Sequence, residues 1–183
     1  MSGAAAAGGR GVPELAALLV ERAAGLGLRL AVAESLTGGL LAASIVSVPG
    51  ASRVFSGGIV AYDTALKRSL LGVDAALLRE RGPVDADVAA QMAAGVREAC
   101  AVPLGEGTPA PADLGISTTG VAGPDPDPQT GQPAGTVWIG ASGRHGERTL
   151  LLPGLAGLDR PTIREAAVRA ALELAVSECG SLT

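Results

Sequence analysis

LRLAVAESLTGGLLAASIV, residues 28–46, decides the fold. Its first seven residues, LRLAVAE (28–34), form a short apolar run with the character of a buried strand. Ser35 and Thr37 follow, and the pair Gly38-Gly39 opens a helix read as GGLLAASIVSVPG (38–50), closed by Pro49-Gly50. A strand running through a glycine turn into a helix is the repeating unit of α/β sheets, and ligands gather at the carboxyl ends of such strands.

Upstream, residues 13–26 place Leu15, Leu18, Leu19 and Ala23 at helical spacing behind Pro13, a residue suited to a first helical turn. Downstream, FSGGIVAYD (55–63) returns to strand character, and Asp63 or Thr64 can cap a short helix through TALKRSLLG. Asp74 can start another helix ending near Gly82-Pro83, and Asp85 opens a long one over 85–101. PLGEGTPAPA (103–112) reads as a surface loop without an apolar period, and DLGISTTG (113–120) reads as a strand. After the Pro/Gly loop 122–135, TVWIGAS (136–142) and ERTLLLP (147–153) form an expected hairpin around Gly143-Arg144-His145-Gly146. A final helix over 159–178 turns Ile163, Ala167, Ala170, Ala171, Leu174 and Val176 inward. These elements predict an α/β protein, a three-layer α/β/α sandwich on a mixed, mainly parallel five-stranded sheet. The expected organisation is a flexible amino terminus (1–12), one domain over 13–178 and a short tail (179–183).

The chain has 183 residues, 48% of them hydrophobic, which suits one domain with a sizeable core. A formal charge of -4 with scattered arginines disfavours nucleic acid as a partner. Cys100 and Cys179 are too far apart to pair as a metal motif and are expected to be buried or inert thiols. No apolar stretch reaches the roughly 18 residues of a membrane span, and the first dozen residues lack a signal-peptide core, so a cytoplasmic protein is expected. The pattern does not encode an oligomeric state; a homodimer is compatible with the fold.

Ser35 could attack a carbonyl while amides near Gly38 and Gly39 hold the oxyanion, although a serine before a helix commonly serves only as its cap. The usual base is disfavoured, since the sole histidine, His145, lies in the hairpin turn. One histidine and two separated cysteines also disfavour a zinc site, and Asp125-Pro-Asp127-Pro-Gln129 does not match a calcium loop. Lys67 is the only lysine beside thirteen arginines. Near the start of a helix it meets the positive end of the macrodipole, which favours the neutral amine that a base must be. Tyr62 could orient that amine or relay a proton. In STTGVAGP (117–124), Ser117, Thr118 and Thr119 offer hydroxyls, and Gly120 and Gly123 allow close backbone approach, a combination suited to phosphate or ribose. Arg160 could add a fixed positive charge for a phosphate.

AESLTGG, GGIVAYDTALKRSLLGV and TGVAGPDPDPQTGQPAGTVWIG, in register over roughly 13–178, together resemble the carboxy-terminal domain of CinA, the competence/damage-inducible protein, and its stand-alone relatives, the nicotinamide-nucleotide amidases. The resemblance implies an α/β/α fold and hydrolysis of nicotinamide mononucleotide to nicotinic acid mononucleotide and ammonia, without metal or cofactor. By the matched motifs Ser35 is the implied nucleophile, Lys67 its base and Tyr62 the base's partner. Thr37, Gly38 and Gly39 match the substrate-facing loop, Arg160 matches an arginine of the D-R-x-x-[VI]-R pattern, and Thr119, Gly120 and Gly123 complete the expected site. The chain departs from the family where Leu36 replaces a frequent cysteine and where Val84-Asp85-Ala86-Asp87-Val88 replaces a frequent V-S-x-x-V. A nucleotide-binding regulatory module without catalysis and a hydrolase of another small amide are the competing readings.

Overall fold

The computed structural model describes residues 9–103 and 107–181. The elements follow in the order α1 (Val12–Leu26), β1 (Leu30–Glu34), α2 (Leu40–Val46), β2 (Phe55–Val60), α3 (Thr64–Leu71), α4 (Ala75–Arg81) and α5 (Ala86–Ala99). Then come β3 (Val102–Pro103), β4 (Pro109–Ala110), β5 (Leu114–Gly120), β6 (Val137–Gly143), β7 (Gly146–Leu151) and α6 (Arg160–Ser181). Local chemistry sets many of these bounds. Asp63, Asp74 and Asp85 each cap a helix by accepting the amide of the residue two places on, at 2.8, 2.6 and 2.8 Å. Of the two caps the sequence allows before Lys67, the structure uses Asp63.

Five strands form one sheet in the order β2-β1-β5-β6-β7. β1 is parallel to both β2 and β5, while β5–β6 and β6–β7 are antiparallel, so β6 alone runs against the other four. The expected hairpin is present, with Gly143 paired to Gly146 across Arg144 and His145. β1 is buried along its whole length. Leu30 and Val32 enter a core shared with α1, α2 and α6, and Ala31 and Ala33 enter a second core under α3, α4 and α5. A strand covered on both faces reads as a continuous apolar run instead of an alternation, as LAVA does.

The second layer comes unusually close to the sheet. A Cβ on Gly115 would sit 2.0 Å from the Ala93 carbonyl oxygen of α5, and one on Gly140 would sit 2.4 Å from that of Ala89. Alanines on α5 and glycines on β5 and β6 thus let a helix backbone rest against the strands.

Two expectations are corrected. The helix expected over 38–50 is confined to Leu40–Val46, because Gly38 and Gly39 adopt positive φ of 59° and 99° and belong to the turn, and a short 3-10 turn, Ala51–Arg53, follows Gly50. Part of the loop expected over 103–112 is a small ribbon in which Val102 pairs with Ala110 and Pro103 with Pro109; such pairing needs no apolar period. Residues 104–106, the first eight residues of the expected amino-terminal segment and the last two of the expected tail lie outside the described residues. Cys179 is buried, whereas Cys100 is only half-buried. Among the described residues no helix is long and apolar enough to cross a membrane.

Candidate active site

The chain leaves β1 for β2 through α2 on one face, and leaves β2 for β5 through α3, α4 and α5 on the other. β1 and β5 are neighbours, so the crossovers diverge at their carboxyl ends and open a crevice between them. A cleft of about 370 Å³ lies there, lined by Ser35, Tyr62, Lys67, Thr119, Gly120, Gly123 and Arg160 together with Asp125, Asp127 and neighbouring loop residues. Segments separated by up to about 125 positions thus meet at the carboxyl ends of β1, β2 and β5, joined there by Lys67 of α3, the residues before α5 and the first residue of α6.

Ser35 directly follows β1 and is 9% exposed; its amide extends the β1–β5 ladder by donating to the Thr118 carbonyl at 3.0 Å. Beyond it the chain turns tightly, with Gly38 N–H donating to the Ser35 carbonyl at 3.1 Å. Glu34, buried at the end of β1, holds the start of α2: its carboxylate accepts from Gly39, Leu41 and Ala42 N–H at 2.9, 3.1 and 2.8 Å. No cationic partner for this buried carboxylate stands among the described residues, and it is tolerable because three amides at the positive end of a helix solvate it. Thr37 is fully buried, its hydroxyl 2.8 Å from that of Thr118. Thr37, Gly38 and Gly39 therefore form the support of the Ser35 turn and do not line the cleft, and the Gly38 and Gly39 amides are already engaged. Leu36 packs into the core beneath α6.

Lys67, in α3, is 1% exposed and still reaches the cleft wall. Its Nζ donates to the Ala61 carbonyl at 3.0 Å. Burial lowers its pKa from 10.5 to about 8, with nearby Asp63 pulling the other way. The physical cause is thus removal of the ammonium from water by the fold. Tyr62 does not bond to Lys67; its hydroxyl accepts from Arg160 Nη2 at 2.7 Å, while Arg160 Nη1 donates to the Gly123 carbonyl at 2.8 Å. Arg160 opens α6 and ties together the ends of β2 and of the loop after β5.

The three hydroxyls after Ile116 are spent inside the protein. Ser117 donates to the Ala89 carbonyl and Thr119 to the Pro83 carbonyl, both at 2.6 Å, and Thr118 meets Thr37. Only Thr119 of the three borders the cleft. The sequence does not single out Glu34 or Arg164, nor the place of Asp125 in the cleft wall. Glu34 is marked there only as the one charge closing an apolar run just before a helix. Arg164, the second arginine of LDRPTIR, donates through Nε and Nη2 to the Leu36 and Thr37 carbonyls at 2.9 and 2.8 Å. Nothing local marks that clamp, since α6 follows the turn it holds by more than 120 residues. Asp125 reads as part of a rigid acidic loop, and only the folded chain shows that the loop walls the cleft.

The model of the CinA C-terminal domain family matches residues 13–179. A CinA-like protein of Frankia casuarinae is 51% identical over 159 residues, 86% of this chain and 32% of that protein. A putative competence-damage inducible protein of Listeria monocytogenes is 40% identical over 164 residues, 89% of this chain and 36% of that protein. The chain therefore spans about a third of the length of these curated relatives. Among solved structures, a competence-damaged protein (CinA) superfamily protein from Enterobacter cloacae matches with a TM-score of 0.83 at 28% identity, covering 98% of both chains. The competence/damage inducible protein CihA from Agrobacterium tumefaciens matches with a TM-score of 0.81 at 30% identity, over 94% of this chain and 98% of that one. With the family model matched over residues 13–179 and relatives up to 51% identical over most of its length, the chain belongs to the CinA C-terminal domain family.

Proposed function

We propose that the chain is an amidohydrolase that converts nicotinamide mononucleotide to nicotinic acid mononucleotide and ammonia, with Ser35 as nucleophile and Lys67 as base. The observation that carries this reading is a lysine with a pKa lowered to about 8, set in the same cleft wall as a nearly buried serine. A serine attacks a carboxamide only if its proton is taken, and a desolvated lysine is one of the few groups able to take it. In this mechanism neutral Lys67 accepts the Ser35 proton, the serine oxygen bonds to the amide carbon, and the tetrahedral intermediate collapses with protonation of the leaving nitrogen. Water then attacks the ester and releases the acid. The charges in the wall support a substrate with two unlike ends: Arg160 suits a phosphate, and Asp125 suits the positive pyridinium ring of the mononucleotide. Tyr62 and Gly123 act through Arg160, which they hold in place.

The test is ammonia release from nicotinamide mononucleotide by the full chain, by Ser35→Ala and by Lys67→Arg. Lys67→Arg keeps the charge but cannot act as a base at ordinary pH, so both variants are expected to lose at least about 100-fold. Unchanged turnover in both would overturn the roles. Pyridine-nucleotide binding without ammonia would point to a non-catalytic module, and products from other amides alone would point to a different substrate.

A further inference from the structure

We propose that Arg164 is a positioning residue for the reaction: it holds the peptides after Ser35 so that the amide of Leu36, a residue of the cleft wall, and not those of Gly38 and Gly39, receives the developing oxyanion. This rests on the Ser35 amidase reading and assigns that site an oxyanion donor. Along the turn, donors are consumed one after another: Ser35 N–H goes to Thr118, Gly38 to Ser35, Gly39 to Glu34, Leu40 to Thr37, and Leu41 and Ala42 to Glu34. Among the described residues the amides of Leu36 and Thr37 alone in this stretch carry no such bond. They are the two that follow Ser35, and of them Leu36 lines the cleft beside Ser35 while Thr37 is fully buried and does not.

Each free amide is fixed through the carbonyl of its own peptide plane, because N–H and C=O of a trans peptide point in opposite directions. The Leu36 N–H shares its plane with the Ser35 carbonyl, which accepts from Gly38 at 3.1 Å. The Thr37 N–H shares its plane with the Leu36 carbonyl, which accepts from Arg164 Nε at 2.9 Å. Arg164 Nη2 takes the next carbonyl, that of Thr37, at 2.8 Å. Two successive carbonyls require a forked donor with fixed spacing, which guanidinium has and ammonium lacks. The same guanidinium lies 3.5 Å from the position a Gly38 Cβ would take, so the turn and the arginine are in direct register.

The experiment has two readouts on the full chain, comparing wild type with Arg164→Lys, Arg164→Ala and, as a control on the same helix, Arg169→Ala. The first is steady-state ammonia release from nicotinamide mononucleotide. kcat is expected to fall about 10- to 100-fold in both Arg164 variants with KM within about twofold, because the interaction is made with the transition state. The second is the rate at which a fluorophosphonate labels Ser35, read by intact mass with Ser35→Ala as blank, which does not depend on the natural substrate. Labelling is expected to slow at least about 10-fold in Arg164→Ala and to recover with millimolar guanidinium, while Arg169→Ala stays within about twofold of wild type. A labelling rate in both Arg164 variants equal to wild type overturns the proposal, as does a loss that tracks only the folded fraction by circular dichroism and is not rescued. Labelling that behaves as expected in a wild type inert toward nicotinamide mononucleotide removes the substrate reading and leaves this one standing. A wild type whose Ser35 does not label removes both.

Discussion

A buried lysine beside a cleft has consequences for stability as well as chemistry, and they have opposite signs. With its folded pKa near 8 and its ordinary value 10.5, Lys67 destabilises the folded state by about 3 kcal/mol at pH 7. Because the folded value is the depressed one, this penalty is full below about pH 8 and is relieved as pH rises toward 10.5. Lys67→Met removes the penalty along with one hydrogen bond to Ala61, worth about 1 kcal/mol. The variant is therefore expected to be about 2 kcal/mol more stable than wild type in urea at pH 7, with the advantage gone by about pH 10.5. Its ammonia release should be abolished, and in wild type kcat/KM should climb as pH passes through about 8, the neutral amine being the active form. At this scale the sequence showed which lysine and which serine to consider. It did not show why the lysine loses its proton, because burial is a property of what surrounds a residue.

Among the elements, α2 depends on a side chain from the preceding strand. Glu34→Gln keeps the size of the group but replaces one acceptor oxygen with a donor facing amides that themselves donate. A loss of about 2–3 kcal/mol is expected from the urea midpoint with an unchanged slope, and turnover should fall further than stability explains because the Ser35 turn is tied to the same carboxylate. The seat of α5 on the sheet is equally specific. Gly140→Ala would drive a methyl to within 2.4 Å of the Ala89 carbonyl oxygen and 2.6 Å of Ser117 Oγ, so the helix must shift. A destabilisation of about 2–4 kcal/mol by thermal or urea unfolding is expected. Helix starts were legible because Asp63, Asp74 and Asp85 act through bonds two residues long. The bounds of α2 and the β3–β4 ribbon were less so: two glycines can open a helix or precede it, and a two-residue pairing leaves no periodic trace.

Over the whole molecule, Arg160 joins three distant segments, with α6 meeting the end of β2 and the loop beyond β5. If it also receives the phosphate, Arg160→Ala should raise KM for nicotinamide mononucleotide about 10-fold and leave that for nicotinamide riboside, which lacks the phosphate, within about twofold. Equal changes for both substrates would reduce Arg160 to a brace between loops. The sequence by itself determined the alternation of strands and helices, the caps, the hairpin and the motifs that place the chain in its family. Those features depend on periods of two and 3.6 residues and on contacts within a few positions, so they are written locally. Only the tertiary structure decided the order β2-β1-β5-β6-β7, the cleft that this order opens, the spending of the Ser117, Thr118 and Thr119 hydroxyls inside the fold, and the grip of Arg164 on the turn after Ser35. Each of these joins residues tens of positions apart, and such partners are chosen by how two cores close on both faces of one sheet, a property that no stretch of the chain carries alone.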